Sequence, residues 1–318
     1  MSTHHTVSCR PEHCHWGFFD SGLPPAATVA SGDTVTFDCV SGGRDVLPSD
    51  PRFEILADHR AIHEAVTPRL GAHILTGPVA VEGATPGDVL QIDILSIEPR
   101  QNWGYTRIRP LAGTLPEDFP IAKTWHSMID RQRGVATLPI GIEIELAPFF
   151  GVMGVAPRPV YGACSSIQPR EFGGNMDLKE LVAGTTLYLP VWAPGALFSV
   201  GDGHGVQGDG EVCVTALEMC LTGTFTFTLH KGGGPARPAL AMPRAETPTQ
   251  FISMGLNEDL DQAMKQALRE MISFICSRSN LSREQAYQFC SLAVDFHVTQ
   301  TVNGEKGIHG MLKKGLLF

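Results

Sequence analysis

The strongest constraint on the fold is a recurring pattern in which a Gly-Asp pair precedes a run of alternating apolar residues. It occurs in "SGDTVTFDCV" (31–40) and again in "PGDVLQIDILSIEP" (86–99). Gly-Asp suits a tight turn, and alternation with a period of two is typical of a half-buried strand. With 34 glycines and 23 prolines in 318 residues, such turns recur along the chain. We therefore predict a mainly β fold, a sandwich or barrel-like arrangement of many short strands.

A composition change near residue 240 predicts the domain organisation. Residues 231–250, "KGGGPARPALAMPRAETPTQ", are rich in Gly and Pro and are predicted to form a connector. The connector would join a β-rich domain (1–230) that carries the active site to an α+β portion (251–318) packed on it. This last portion is predicted to end in a strand, an Asn303-Gly304 turn and a return strand.

Two helices are predicted in the C-terminal portion. The first covers 257–278, with Asn257 as its cap and an apolar stripe at helical spacing. The second begins at a capping box formed by Ser282 and Gln285 and runs to about Asp295. Helical periodicity is seen only after the connector, so the rest of the chain is predicted to be strands and turns.

Charge and hydropathy exclude several classes of function. The formal net charge is −9 and no basic run is present, so we expect no nucleic-acid partner. Residues 181–200 carry no charge, but two prolines and two glycines predict two buried strands rather than a membrane helix.

Cysteine usage and the N-terminal residues bear on localisation and assembly. The eight cysteines form no CxxC pair, and "MSTHHTVSCR" lacks the pattern of a secretory signal, so we expect a cytoplasmic protein. Long apolar strands without evident edge protection favour a homo-oligomer, a dimer or larger.

The stretch "LFSVGDGHGVQGDGEV" (197–212) concentrates polar residues between glycines. It satisfies GxGxxG, but no helical pattern follows, so a dinucleotide site is not predicted. In an extended segment residues two apart share a face, which pairs Asp202 with His204 and Asp209 with Glu211. Imidazole and carboxylate together suit a divalent first-row metal, zinc above all. A plain polar hairpin turn is the alternative interpretation.

Other segments offer further candidates, each with a structural alternative. His15, in "CRPEHCHW", is a candidate single ligand to a distant site. Asn175 and Asp177 follow two glycines and fit either helix capping or a site. His73 and Glu82 flank an apolar strand and fit either structural roles or substrate binding.

Several stretches together resemble the acetamidase/formamidase family, in that family's order from residue 15 to about 304. The matching stretches are "HWGFFD", "SGDTVTFDCVSGG", "HILTGPVAVEGATPGDVLQIDIL", "NWGYT", "FFGVMGVAP", "GGNMDLKELVAGTTLYLPVWAPGALFSVGDGHGVQGDGEVCVTALE" and "LSREQAYQFCSLAVDFHVTQTVNG". The resemblance implies a β-rich oligomeric enzyme that hydrolyses short aliphatic amides to a carboxylate and ammonia. It also implies bound divalent ions, with zinc expected and calcium as the alternative.

Roles follow from the chemistry of amide hydrolysis, which needs a polarised carbonyl, an activated water and a protonated leaving nitrogen. The predicted metal ligands are Asp202, His204, Asp177 and His15. The predicted catalytic residues are Glu211 as general base and acid, Asp209 beside it, and Gln207 or Asn175 as oxyanion donor. His73 and Glu82 are assigned to substrate binding. Two alternatives stay open: a metal-independent amidase using Glu or Cys164, and a β-sandwich that binds a small ligand without catalysis.

Overall fold

The structure, a computed structural model, describes residues 2–232 and 240–317. Part of the predicted connector, 233–239, lies outside the described residues. The strands are β1 His4–Val7, β2 Cys14–Trp16, β3 Phe18–Phe19, β4 Ala27–Val29, β5 Thr34–Asp38, β6 Ile74–Val81, β7 Val89–Pro99, β8 Trp103–Ile108, β9 Lys123–Asp130, β10 Val135–Thr137, β11 Glu143–Glu145, β12 Phe149–Gly154, β13 Cys164–Ser165, β14 Gly173–Asn175, β15 Thr186–Pro190, β16 Phe198–His204, β17 Leu221–His230, β18 Arg244–Glu246, β19 Gln250–Asn257, β20 Val294–Gln300 and β21 Lys306–Lys313. The α-helices are α1 Ala57–Ala65, α2 Leu260–Arg278 and α3 Arg283–Ala293.

The predicted mainly β fold is confirmed. A nine-stranded sheet runs in the order β1-β5-β17-β7-β15-β18-β19-β21-β20, and a six-stranded sheet in the order β14-β12-β16-β6-β2, with β4 also paired to β6. A four-stranded sheet (β11-β10-β9-β8) and the pair β13-β3 complete the sheets of the described residues, and none of these closes into a barrel. Both Gly-Asp turns lead into the expected strands, β5 and β7.

The two larger sheets pack face to face through aromatic side chains. Phe37 and Phe225 of the nine-stranded sheet contact Phe198 of the six-stranded sheet, with ring centroids 5.9 and 6.1 Å apart. Phe150, also from the six-stranded sheet, meets Phe225 at 5.9 Å. All four rings are fully buried and belong to one core cluster that spans both layers. Burial of such rings dominates the energetics of a core and fixes the six-stranded sheet against its partner.

The C-terminal portion extends the larger sheet. Strands β18 to β21 continue it beyond β15, while α2 and α3 cover its outer part. The capping box is confirmed: the Ser282 hydroxyl accepts from the Gln285 backbone, and the Gln285 side chain accepts from Ser282. The first helix begins at Leu260, however, with Asp259 rather than Asn257 as its N-cap. The Asn257 side chain accepts instead from the backbone N–H of Asp259.

The remaining features are helix α1, the uncharged stretch 181–200 and the apolar character of the helices. The prediction of only strands and turns before the connector is wrong at helix α1. Two of the three buried positions of this helix are histidines, His59 and His63, so no apolar stripe at helical spacing marks it in the sequence. The uncharged stretch 181–200 forms two strands as expected, β15 and the start of β16, in different sheets. Among the described residues, no helix is long and apolar enough to cross a membrane.

Candidate active site

The site is built on β16, near the centre of the six-stranded sheet. Asp202 and His204 lie two residues apart on this strand and their side chains meet, as predicted, with His204 Nε2 3.2 Å from Asp202 Oδ2. Both side chains are buried. The Phe149 ring of the neighbouring strand β12 packs edge-on against the His204 imidazole at 4.9 Å and fixes its orientation.

Three more carboxylates converge on the same imidazole. Atoms of Asp177, His204 and Glu211 lie within 4.8 Å of one another, and so do atoms of Asp202, His204 and Glu218. All of these side chains are buried, and we call the set the acidic floor: Asp177, Asp202, His204, Glu211 and Glu218. Four buried carboxylates around one histidine are an unusual concentration of charge, since buried acids are normally paired.

The backbone is strained where it presents these carboxylates. Asp177, Asp202 and Glu211 all have positive φ, at 50°, 57° and 43°. Residues other than glycine rarely adopt this conformation, and they persist in it only where the surrounding structure over-determines it. Such strain is typical of functional sites.

Gly151 on β12 provides the space in which the carboxylates meet. A Cβ at this position would lie 2.6 Å from Asp177 Oδ1, 2.7 Å from His204 Cε1 and 2.8 Å from Asp202 Oδ2. The Gly151 carbonyl also accepts from the Asp177 backbone N–H at 3.2 Å. Only glycine therefore fits between the three side chains.

Hydrogen bonds fix which nitrogen of His204 faces the carboxylates. Its Nδ1–H donates to Gln207 Oε1 at 3.0 Å, and Gln207 Nε2 donates in turn to the Asp177 carbonyl at 2.9 Å. Nε2 therefore faces Asp202 and Glu218, at 3.2 and 3.3 Å, but makes no hydrogen bond in this geometry. Asp177 Oδ1 and Glu211 Oε2 are also enclosed without a partner among the described residues. Three potential ligand atoms, on Asp177, His204 and Glu211, therefore lack a hydrogen-bond partner and lie close to one another.

The charges of the floor are strongly coupled. Burial opposes the His204 imidazolium, but Glu218 and Asp202 outweigh it and raise the pKa of His204 well above its usual range. Burial raises the pKa of Glu211 to about 8 and that of Glu218 to about 7. Burial and then Glu211 raise the pKa of Asp177 as well. Asp202 behaves differently, because His73 and His204 outweigh its burial and lower its pKa. Without a bound cation, the floor therefore retains protons at neutral pH.

A cavity of about 670 Å³ opens above the floor. Asp202, Glu211 and Glu218 form part of its lining. His73 also lines it, with Nε2 3.8 Å from Asp202 Oδ2 and Nδ1 hydrogen-bonded to the Ser166 hydroxyl at 2.8 Å. The turn between β20 and β21 closes one side, where Asn303 Nδ2 donates to Asp177 Oδ2 at 2.9 Å.

Other predicted site residues lie in different surroundings. Asn175 lines the cavity, but its Nδ2 is bonded to the Ile167 carbonyl at 3.1 Å. Asp209 is exposed and pairs with Lys179 at 2.7 Å. Asp209 and Glu211 do not share a face: Glu211 is buried, and the left-handed backbone at Gly210 (φ 89°) and Glu211 (φ 43°) departs from the extended geometry that would align them.

His15 and Glu82 lie apart from the floor. The His15 ring contacts Phe18 and Phe19, with centroids 5.4 and 6.4 Å away, and belongs to neither group of converging ligand atoms. Burial lowers the pKa of His15 to about 4. Glu82 is exposed in the turn after β6.

Sequence reasoning missed Glu218 and Gly151. The alternating stretch "GEVCVTALEMC" (210–220) predicts a strand, which is wrong. Glu211 and Val214 have positive φ, and only Gly210 and Glu218 make isolated bridge pairs within the segment. The pairs of Glu218 place it between His204 and Tyr105. Its signal in the sequence was its position seven residues after Glu211, within the polar region that follows β16. Gly151 carried no signal beyond its place in "FFGVMG".

Comparison with known proteins gives a consistent result. The sequence profile of the acetamidase/formamidase family matches residues 4–161 and 160–305. The chain is 27% identical to an acetamidase of Mycolicibacterium smegmatis over 305 aligned positions, covering 73% of this chain and 70% of that protein. It is 27% identical to a formamidase of Methylophilus methylotrophus over 350 aligned positions, covering 88% and 84%. The crystal structure of an acetamidase from Bacillus halodurans superposes with a TM-score of 0.82 at 31% identity, covering 97% of each chain.

Proposed function

The chain belongs to the acetamidase/formamidase family, a hydrolase family acting on amide C–N bonds, and we propose that it hydrolyses a short aliphatic amide with the help of a divalent cation. The observation that carries the proposal is the convergence of three orphaned ligand atoms, on Asp177, His204 and Glu211, beneath a cavity. Acids buried without partners are otherwise unfavourable.

The donor set fits a first-row divalent cation. Because His204 Nδ1–H is held by Gln207, Nε2 faces the carboxylate oxygens of Asp202 and Glu218. Without a cation these carboxylates keep a proton on Nε2, and a bound cation would take the place of that proton. The residues that would hold the ion are His204, Asp202 and Glu218, whose ligand atoms lie within 4.8 Å of one another, while Asp177 converges with Glu211 on the same imidazole. An imidazole among oxygen ligands favours zinc or manganese over calcium, which takes oxygen ligands. A divalent cation bound there would polarise the amide carbonyl, lower the pKa of water to about 7 and offset repulsion among the carboxylates.

Glu211 is proposed as the proton carrier of the reaction. It lines the cavity, and one of its carboxylate oxygens has no protein partner. It would accept a proton from water as the water oxygen attacks the carbonyl carbon, and then deliver that proton to the amide nitrogen as the C–N bond breaks. The products are a carboxylate and ammonia. A buried glutamate whose pKa lies near the working pH suits both transfers.

Gln207 is proposed as a positioning residue rather than an oxyanion donor. Its carbonyl oxygen accepts from His204 and its amide nitrogen donates to the Asp177 backbone, so both ends are already engaged. The Asn175 amide nitrogen is likewise engaged by Ile167. Each amide nitrogen keeps a second N–H. Gln207 does not line the cavity, whereas Asn175 does and keeps a donor for the substrate carbonyl.

Ammonia release from formamide, acetamide and propionamide tests the proposal. Wild-type protein should release ammonia, lose activity after dialysis against a strong chelator and regain it with zinc or manganese. Glu211→Gln should lower kcat by about 10²–10⁴-fold, the usual contribution of a general acid–base group. Full activity in metal-free protein would exclude the role of the cation. Tight binding of an amide without any turnover would favour the non-catalytic binding alternative.

A cysteine nucleophile is less well supported. Cys164 does not line the cavity, and burial raises its pKa, whereas a nucleophilic cysteine needs a lowered one. Retention of turnover by Cys164→Ser would agree with this assignment.

We also propose that the protein is a cytoplasmic homo-oligomer. All eight cysteines are free, as in a reducing compartment. Several large apolar side chains are exposed, among them Leu111, Phe119 and Ile140. Burial of such residues between subunits would remove this apolar surface from water. Sedimentation equilibrium measures the subunit number, and a monomer at micromolar concentration would contradict the proposal.

A further inference from the structure

Tyr105 stands beside the acidic floor on a different strand from the other site residues. It lies on β8 and pairs with Glu218 through two backbone hydrogen bonds, Tyr105 N–H to Glu218 O at 2.9 Å and Glu218 N–H to Tyr105 O at 2.8 Å. Glu218 pairs on its other side with His204. Residues directly opposite one another in antiparallel pairs project to the same face. His204, Glu218 and Tyr105 therefore form a row across one face.

The phenol hydroxyl is open to the cavity. Tyr105 is 7% exposed and lines the cavity together with Asp202 and Glu218. Its hydroxyl makes no hydrogen bond with the described residues, yet it is not among their fully enclosed polar atoms. A buried tyrosine hydroxyl usually has a protein partner, so this one is left available to whatever occupies the cavity.

The ring is held in a fixed position. Gly42, at φ 94°, lies against it, and a Cβ there would come within 2.9 Å of Tyr105 Cε1 and 3.1 Å of the hydroxyl oxygen. Tyr105 also shares a small core cluster with Val46 and Trp103. A donor fixed before substrate binds needs no reorganisation during the reaction, which is the condition for effective stabilisation of a developing charge.

The hydroxyl is a hydrogen-bond donor at neutral pH. A phenol has an ordinary pKa of about 10, so its proton stays on oxygen and can be shared with an acceptor in the cavity.

We propose that Tyr105 is a catalytic residue that donates a hydrogen bond to the carbonyl oxygen of the amide, an inference that rests on the proposed hydrolysis. As the water oxygen bonds to the carbonyl carbon, the π pair of the C=O bond moves to oxygen, and the Tyr105 O–H stabilises that negative charge. When the C=O bond reforms, the C–N bond breaks and the nitrogen leaves as ammonia with the proton delivered by Glu211. Asn175 also lines the cavity, but its amide nitrogen is already hydrogen-bonded to the Ile167 carbonyl, whereas the Tyr105 hydroxyl has no partner among the described residues.

The test is Tyr105→Phe, which removes only a hydroxyl that has no protein partner. We expect kcat for acetamide to fall by about 10²–10³-fold, the usual loss for one oxyanion donor, while KM changes less than threefold. Thermal unfolding should be unchanged. The matched control is Tyr161→Phe, since Tyr161 is 53% exposed and does not line the cavity, and it should retain kcat within twofold.

The outcomes separate this inference from the proposed function. Wild-type turnover with kcat of Tyr105→Phe within threefold of wild type would overturn the role of Tyr105 and leave amide hydrolysis standing. A rise in KM with unchanged kcat would also overturn it, because it would show ground-state binding alone. A wild-type protein that hydrolyses none of the amides would remove the proposed function and this inference with it.

Discussion

Two clusters of histidines and carboxylates lie close together in the chain, and only one of them lines the cavity. The acidic floor contains Asp177 and Glu211, whereas Lys179 and Glu180, two and three residues after Asp177, belong to a second cluster. We call this second set the C-terminal histidine cluster: Lys179, Glu180, Asp209, His297 and His309. Residues a few positions apart thus take part in different clusters.

The charges of the C-terminal histidine cluster are balanced. Lys179 pairs with Asp209 at 2.7 Å, and His297 approaches the same carboxylate at 3.3 Å. Buried His309 is hydrogen-bonded to the Thr299 hydroxyl at 2.8 Å and faces Glu180 at 3.4 Å. The His297 and His309 rings stack at 5.2 Å. None of the five residues lines the cavity.

The acidic floor differs from the C-terminal histidine cluster in its excess of carboxylates over cationic groups and in its contact with the cavity. Four carboxylates face two histidines, His204 and His73, and the cavity reaches three of the carboxylates and His73. The balanced cluster stabilises contacts between the C-terminal strands and the loops of the site, while the unbalanced one needs protons or a cation. Both clusters contain histidines and carboxylates, so residue type does not distinguish them. The candidate active site is distinguished by its excess of carboxylates and by its contact with the cavity.

The largest expected difference in catalytic activity is between a variant that neutralises one carboxylate of the acidic floor and a variant that neutralises one carboxylate of the C-terminal histidine cluster. Asp202→Asn keeps a residue type that tolerates the left-handed backbone at this position but removes the charge beside His204. We expect kcat/KM for acetamide to fall on the order of 10³-fold, as when a preorganised charge is lost. Bound zinc, measured by elemental analysis, should fall in parallel.

The counterpart is Glu180→Gln in the C-terminal histidine cluster. It should lower the free energy of unfolding in urea by roughly 1–3 kcal/mol, because buried His309 loses its charged neighbour. Its kcat/KM should stay within threefold of wild type. Equal losses of activity in the two variants would end the distinction between site and scaffold.

A smaller loss of activity is expected when a methyl group is added between the side chains of the acidic floor and no charge is changed. Gly151→Ala places a Cβ within 2.8 Å of three site atoms, so the side chains must shift. Because misplacement by about 1 Å can lower a rate on the order of 10²-fold, we expect that loss in kcat, together with roughly 1–3 kcal/mol in stability. The control is Gly208→Ala, where a Cβ meets nothing within 4 Å. Comparable losses in both variants would contradict a specific need for space at 151.

The smallest effect on activity is expected from two buried histidines outside both clusters, whose titration affects stability instead. Burial lowers the pKa of His59 to about 4, although its hydrogen bond to the Gly42 carbonyl opposes this, and the pKa of His15 is also about 4. The unfolded chain, with a histidine pKa near 6.5, binds more protons between these values. Stability should therefore be complete above about pH 6.5 and fall as pH drops toward 4, by at most about 3 kcal/mol for each histidine.

Urea unfolding at several pH values measures this loss. His59→Gln, whose amide can still donate to Gly42, should reduce the slope below pH 6.5. An unfolding free energy that stays constant from pH 7 to pH 5 would show that these histidines titrate normally.

Local sequence predicted much of the fold, because the relevant interactions are short-range. The capping box of Ser282 and Gln285 and the strands after each Gly-Asp turn depend on neighbouring residues. Asp202 and His204 were found from their spacing on one predicted strand, and their side chains do meet, although Asp202 itself has a positive φ. The prediction failed for Asp209 and Glu211, where positive φ at 210 and 211 breaks the extended geometry on which it relied.

The sequence by itself determined a β-rich chain, its two C-terminal helices, and the family to which it belongs. Only the tertiary structure decided which acids are buried together, that Gly151 makes room for them, and that Glu218 lies between His204 and Tyr105. The physical reason is that a single sequence records side-chain chemistry and local backbone preference. Burial, charge balance and access to a cavity arise only when strands distant in the chain pair and pack.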